Sequence, residues 1–363
     1  MKDWLSADDL GPMSRRTFLK LSGAGLVGLF LLPFMQKNGS LLRRFAPQDD
    51  LLRQGRVLSY TLPLYDRPSL DGKLVRTYWR DLVLPITEIA IGEGEPTHNR
   101  IWYELNGEGF AHSSNIQPLD IRLNPTVYNL PAGGAVAEVT VPFTDVVWNP
   151  LQPAQTAYRL YYSSTYWVSG VVQDDQGVAW YRIPDERFDF IYYARAAHLH
   201  VYSPQELAPI SPQVPAKDKR LELRLDEQVL VAYEGDQTVF VTRVSSGARF
   251  SSGDYATPDG RFITNRKRPT RHMAAGDPAN PTSYDLPGVP WVSYLTKSGI
   301  SFHGTYWHND FGRPRSHGCV NLISTAALWV YRWTTPAVPL DTIYWEEEDG
   351  TQVDIYKKTP KTV

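Results

Sequence analysis

A single cysteine, Cys319, serves all 363 residues, so no disulfide can form within the chain. Such a thiol is either a small buried residue or a reactive group. Charge of one sign is also lacking: 37 Lys and Arg stand against 39 Asp and Glu, a net charge of −2. With no basic stripe either, nothing in the composition supports binding to nucleic acid. No apolar run reaches the roughly 20 residues that span a bilayer. What is plentiful is 11 Trp, 21 Tyr and 28 Pro, a mixture that suits short strands joined by turns better than helical bundles. The length predicts two or three domains, and the balance of apolar and charged residues is that of a globular chain.

The N-terminus is more specific. Ser14-Arg15-Arg16-Thr17-Phe18-Leu19-Lys20 precedes an apolar run from Leu21 to Met35, about 15 residues and so the length of a signal-peptide core. It resembles the twin-arginine export signal of bacteria, which implies a protein of the cell envelope, wall or periplasm. No clear A-x-A cleavage site follows, so residues 1–40 are read as a signal that is either removed or kept as a membrane anchor. The absence of a nearby cysteine excludes a lipoprotein. Exported chains use cysteines in pairs, which makes a lone one a candidate reactive thiol.

Residues 36–50 read as a polar linker, and from Leu51 to about Tyr202 the text is strand-like and broken by turn formers. Trp102-Tyr103-Glu104-Leu105 followed by a glycine turn is echoed at Trp180-Tyr181-Arg182-Ile183. The first copy resembles bacterial Src-homology-3-like barrels, modules that accompany wall enzymes, and the resemblance implies contact with wall glycan or peptide. Residues 51–122 are read as one such barrel and 123–205 as a second small β domain, with the four aromatics in barrel cores. The Pro-rich stretch 206–218 reads as an interdomain linker. A last domain over 219–357 opens with the strict alternation Leu221-Glu222-Leu223-Arg224-Leu225 and continues as a β-meander. One helix is predicted, capped by Ser324, with Ala327, Leu328, Tyr331 and Trp333 inward and Thr334-Thr335-Pro336 ending it. The fold class is therefore mainly β.

Cysteine catalysis needs a thiolate, a base and donors for the oxyanion. Cys319 is the nucleophile candidate, Gly318 lets backbone amides approach a ligand, and His303 lies 16 residues upstream at a strand end. The string from His303 to Leu322, H-G-T-Y-W-H-N-D-F-G-R-P-R-S-H-G-C-V-N-L, resembles the signature of the L,D-transpeptidase (YkuD-like) family. Thr257-Pro258-Asp259-Gly260-Arg261-Phe262 and the closing strand Gly350–Ile355 fit as well, so the resemblance covers about residues 219–356.

It implies a β-sandwich-like catalytic domain in which Cys319 is the acylated nucleophile and His303 its base, oriented by the Gly304 carbonyl. His317, structural or catalytic, and Ser316 support the cysteine loop, the amides of Gly318 and Cys319 hold the oxyanion, and Ser316 and Asn321 are also read as substrate-binding, Asn321 shaping the site through hydrogen bonds. The implied partners are peptidoglycan stem peptides: the thiolate attacks the third residue of a tetrapeptide, releases D-alanine, and an amine of a second stem forms a 3→3 cross-link. No cofactor or metal is implied, and the spacing H-x4-H-x8-H-x-C of His303, His308, His317 and Cys319 fits no zinc pattern. Residues 263–290 are longer than a minimal domain needs; Met273 and Tyr284 are read there as substrate-binding lid residues, and the basic run 266–268 with 271–272 as a solvated loop or a patch that meets stem carboxylates. Such a lid could favour water over an amine, making an L,D-carboxypeptidase the alternative; a non-catalytic wall-binding protein is the other.

Overall fold

The computed structural model describes residues 53–276 and 283–358. The export signal, the anchor and the linker 36–50 lie outside the described residues. Alternating segments become strands where one side can be buried. Residues 53–119 form a seven-stranded antiparallel sheet edged by Leu74–Trp79 and Ile116–Leu119, with a small core that includes Leu62, Leu64, Tyr103, Leu105 and Ile116. Residues 135–201 hold a five-stranded and a three-stranded sheet around Val139, Val146, Leu160, Tyr181 and Tyr192. Trp102, Tyr103, Trp180 and Tyr181 are all buried, the core role read for them.

The stretch after these sheets is docked. Tyr202, Leu207 and Ile210 pack against the C-terminal core, and the Ile210 N–H donates to the Arg332 carbonyl.

From Lys219 onward an eight-stranded sheet runs in the order Gln237–Arg243, Val229–Glu234, Lys219–Arg224, Trp345–Tyr356, Gly260–Ala275, Tyr284–Tyr294, Ser301–Thr305, Val320–Ile323. Lys219–Arg224 pairs parallel with Trp345–Tyr356, and Ser301–Thr305 with Val320–Ile323. The sheet curls back on itself. Ser245, just past one edge strand, exchanges both backbone hydrogen bonds with Asn321 on the other. One core therefore collects Leu221, Leu223 and Leu230 from one end of the sheet and Phe302, Val320 and Leu322 from the other.

The helix Ser324–Trp333 fills that curl with Ala326, Ala327, Val330, Tyr331 and Trp333 buried. Two details correct the sequence reading: Ile323 is the cap and Ser324 the first helical residue, and Leu328 is only half-buried. The helix ends on two lysines. Lys267 Nζ donates to the carbonyls of Tyr331 (2.8 Å), Thr334 (2.6 Å) and Pro336 (2.8 Å), and Lys219 Nζ to those of Ile210 (2.9 Å) and Trp333 (3.0 Å). Cations are favourable at a helix C-terminus, where orphan carbonyls gather.

The basic run at 266–272 is thus no solvated loop. It lies within the strand Gly260–Ala275, whose alternation turns Lys267 inward and Arg268 outward onto Glu186. His272 is buried between Asp185 (2.7 Å) and Asp285 (2.5 Å). The long segment read as a lid is a β-hairpin, Gly260–Ala275 against Tyr284–Tyr294.

Candidate active site

Two parallel neighbours build the site. Their register sets His303 beside Asn321 and Phe302 beside Val320, so Cys319, one residue before the second strand, arrives next to the first. The period of two sends Ser301, His303 and Thr305 to one face. Cys319 is half-buried; its Sγ lies 3.6 Å from Ser301 Oγ and its thiol points to the Gly299 carbonyl at 3.8 Å. His303 Nδ1 donates to the Gly304 carbonyl at 2.9 Å. A carbonyl only accepts, so the Nδ1 carries the proton and Nε2 keeps its lone pair, which receives Asn321 Nδ2–H at 3.1 Å. Burial pushes the Cys319 thiol up; the hydrogen bond and charge of His303, followed by Ser301, more than offset it and leave the thiol below its ordinary range. Gly304 has a steric reason as well, because a Cβ there would sit 2.7 Å from Pro290 Cγ and 3.0 Å from Ser324 Cα.

The cysteine loop is held from inside. Gly318 has φ +114, a conformation that favours glycine, and its carbonyl accepts from Thr257 Oγ1 at 2.8 Å. Thr257 also accepts the Gly247 N–H at 2.8 Å, which explains the Thr257-Pro258 stretch. Ser316 Oγ donates to the Cys319 carbonyl and accepts the Gly318 N–H at 3.2 Å.

Three expectations change accordingly. Ser316 is buried and satisfied within the loop rather than facing substrate. The Gly318 amide read as an oxyanion donor is engaged by Ser316. Asn321, read as substrate-binding, is buried with its amide on His303 and His308.

The open side of the site is aromatic. His317 is exposed and framed by Phe250 (ring centroids 4.8 Å apart), Tyr255 (4.6 Å) and Tyr284 (6.0 Å). Tyr284 is therefore brought to the cysteine loop; burial and then the Cys319 charge push its hydroxyl up. Met273 lies in the same hairpin opposite Leu286, and no hydrogen bond or ring contact joins it to the cysteine loop among the described residues. Ser301 was not singled out in the sequence, although its two-residue offset from His303 in Ile300-Ser301-Phe302-His303 carried the signal.

The stretch between His303 and Cys319 rests on the N-terminal sheet. Asn309 Nδ2 donates to the carbonyls of Ser113 (3.2 Å) and Ile116 (3.1 Å), and Arg56 Nη2 to that of Tyr306 (2.7 Å). Buried Asp310 accepts from His98 Nε2 (2.8 Å), Arg313 Nε (2.6 Å) and Arg315 Nη1 (2.7 Å). Burial pushes its carboxyl up, and His98, Arg313 and Arg315 more than offset this and hold it below its usual range.

The family model YkuD, described as the L,D-transpeptidase catalytic domain, matches residues 218–355. A curated Bacillus subtilis (strain 168) protein named "Putative L,D-transpeptidase YciB" is 27% identical over 130 residues, 33% of this chain and 63% of that protein. The match thus spans less than two thirds of the relative's length. Among solved structures, the catalytic domain of an E. faecium L,D-transpeptidase is 22% identical over 38% of this chain and 97% of its own, with a TM-score of 0.29. L,D-transpeptidase 3 of Mycobacterium tuberculosis is 15% identical over 50% of this chain and 80% of its own, with a TM-score of 0.31. TM-scores this low add no weight beyond the family match. The resemblance to L,D-transpeptidase catalytic domains thus rests on residues 218–355.

Proposed function

We propose that the chain is an exported L,D-transpeptidase that cross-links peptidoglycan through a thioester on Cys319. The observation that carries the reading is the pairing of a half-buried thiol, lowered by His303, with an imidazole whose Nδ1 proton is spent on Gly304, so that Nε2 is its basic nitrogen. In this reading His303 Nε2 gives up the Asn321 N–H at 3.1 Å and takes the Cys319 proton as sulfur attacks the carbonyl of the third stem residue. The tetrahedral oxyanion draws on the Cys319 backbone amide, since the Gly318 N–H is held by Ser316. Collapse breaks the peptide bond, His303 returns the proton to the departing D-alanine amine, and a thioester remains. The side-chain amine of a second stem then attacks that carbonyl, gives its proton to His303, and releases the thiol with a 3→3 link formed.

His317 and the rings of Phe250, Tyr255 and Tyr284 frame the entrance along which the stem peptide lies. Contact of the N-terminal sheets with wall glycan or peptide, and retention at the membrane through residues 1–40, belong to the same proposal. The test is incubation with a disaccharide-tetrapeptide, followed by mass spectrometry of the products. A dimer lighter by one D-alanine, absent with Cys319→Ala, is the expected outcome. Tripeptide without dimer would instead mark an L,D-carboxypeptidase, and no product at all would favour a wall-binding protein.

A further inference from the structure

We propose that His308 is a positioning residue that acts on His303 through Asn321, fixing the amide so that its N–H faces the His303 lone pair. This rests on the reading of Cys319 and His303 as nucleophile and base. His308 is 4% exposed. The Asp310 N–H points at its Nδ1 at 3.2 Å, so that nitrogen is the acceptor and the ring proton sits on Nε2. His308 Nε2 lies 3.0 Å from Asn321 Oδ1 and donates to it, which leaves Asn321 Nδ2 to donate to His303 Nε2 at 3.1 Å. His303 Nδ1 then donates to the Gly304 carbonyl at 2.9 Å. Each of the four contacts has one donor and one acceptor. Turning the Asn321 amide over would set N–H against the His308 N–H, and oxygen against the His303 lone pair.

The relay has a chemical consequence. A donor aimed at His303 Nε2 suits the neutral ring and opposes Nε2–H, so it disfavours the resting thiolate–imidazolium pair and holds Nε2 unprotonated until the thiol reacts. Without His308, Asn321 is free to turn its oxygen towards Nε2–H, and the ion pair gains. The charged and titratable groups around this chain are Asp310, Arg315, His303 and Cys319, with Tyr284 beyond the thiol.

The experiment is the pH profile of Cys319 alkylation by iodoacetamide on the intact protein, with Cys319→Ala confirming the labelled site. His308→Phe should move the midpoint down by at least half a unit, about a threefold change in the thiol–thiolate ratio. His308→Gln, which keeps a donor near the Nε2 position, should restore the wild-type profile. A loosened site would move the midpoint the other way, towards the free value of about 8.5, and that result or an unchanged midpoint would overturn the proposal. Should the Phe variant not fold, nitrogen-15 chemical shifts of the wild-type rings decide: the proton is expected on Nε2 of His308 and on Nδ1 of His303, and the opposite tautomer of His308 refutes the relay. His303→Ala separates the two readings. If it leaves the profile unchanged, the Cys319–His303 pair itself fails; if it shifts the profile while His308→Phe does not, only the relay does.

Discussion

Asp310→Asn tests whether the N-terminal sheet holds the catalytic loop. The Asp310 side chain is 1% exposed and faces His98, Arg313 and Arg315, themselves 20%, 53% and 36% exposed. Breaking a fully buried pair costs about 3–5 kcal/mol, but the exposed Arg313 bond contributes little after screening. Asparagine also keeps one acceptor oxygen. The expected loss is therefore about 2–3 kcal/mol, read as a lower urea midpoint at unchanged slope. The pH dependence follows from a carboxyl held below its ordinary 3.8. Its contribution is full above that value and fades as pH falls through the folded one, so the gap between variant and wild type should be constant near neutrality and narrow below about pH 4. Because the loop also carries His308, a displacement on the order of 1 Å should slow product formation by tenfold or more. An unchanged urea midpoint together with an unchanged rate would refute the idea that His98 and Asp310 tie the sheet to the site.

Further outcomes follow from single contacts. Ser301→Ala removes a hydroxyl 3.6 Å from Sγ that helps lower the thiol, so the Cys319 alkylation midpoint should rise by about half a unit; no shift would remove Ser301 from the site. Lys267→Met leaves three helix-end carbonyls without their buried donor and should cost about 3–5 kcal/mol in urea unfolding. Burial and Arg315 push His308 from 6.5 down to about 4. Such a group stabilises the fold fully above pH 6.5 and loses that contribution as pH falls towards 4, about 3 kcal/mol in all. His308→Phe should flatten that part of the stability profile, and a slope that persists would point to other groups.

Local pattern carried much of the site. Ser-His-Gly-Cys-x-Asn is contiguous and His303 stands next to Gly304, so the bond from His303 Nδ1 to the Gly304 carbonyl spans one residue, although His303 lies in the middle of Ser301–Thr305 and not at a strand end. The alternation at Leu221–Leu225 likewise reads directly as a strand with a buried face. What escaped depends on distance or on facing. His98 and Asp310 are 212 residues apart, and no period announces such a pair. The basic run at 266–272 has the composition of a solvated loop, yet strand alternation sends Lys267 beneath the helix and His272 between two carboxylates. Ser316 and Asn321 are polar residues in a binding motif, and only the coordinates reveal that they are turned inward, where each satisfies a neighbour rather than a ligand.

The most direct test of the central claim is the intact mass of the protein after brief exposure to a disaccharide-tetrapeptide and acid quench. An added mass equal to the donor less D-alanine is expected, localised to the Cys319 peptide, removed by hydroxylamine and absent in Cys319→Ala. An unmodified wild-type mass while product forms, or an adduct that survives Cys319→Ala, would contradict it.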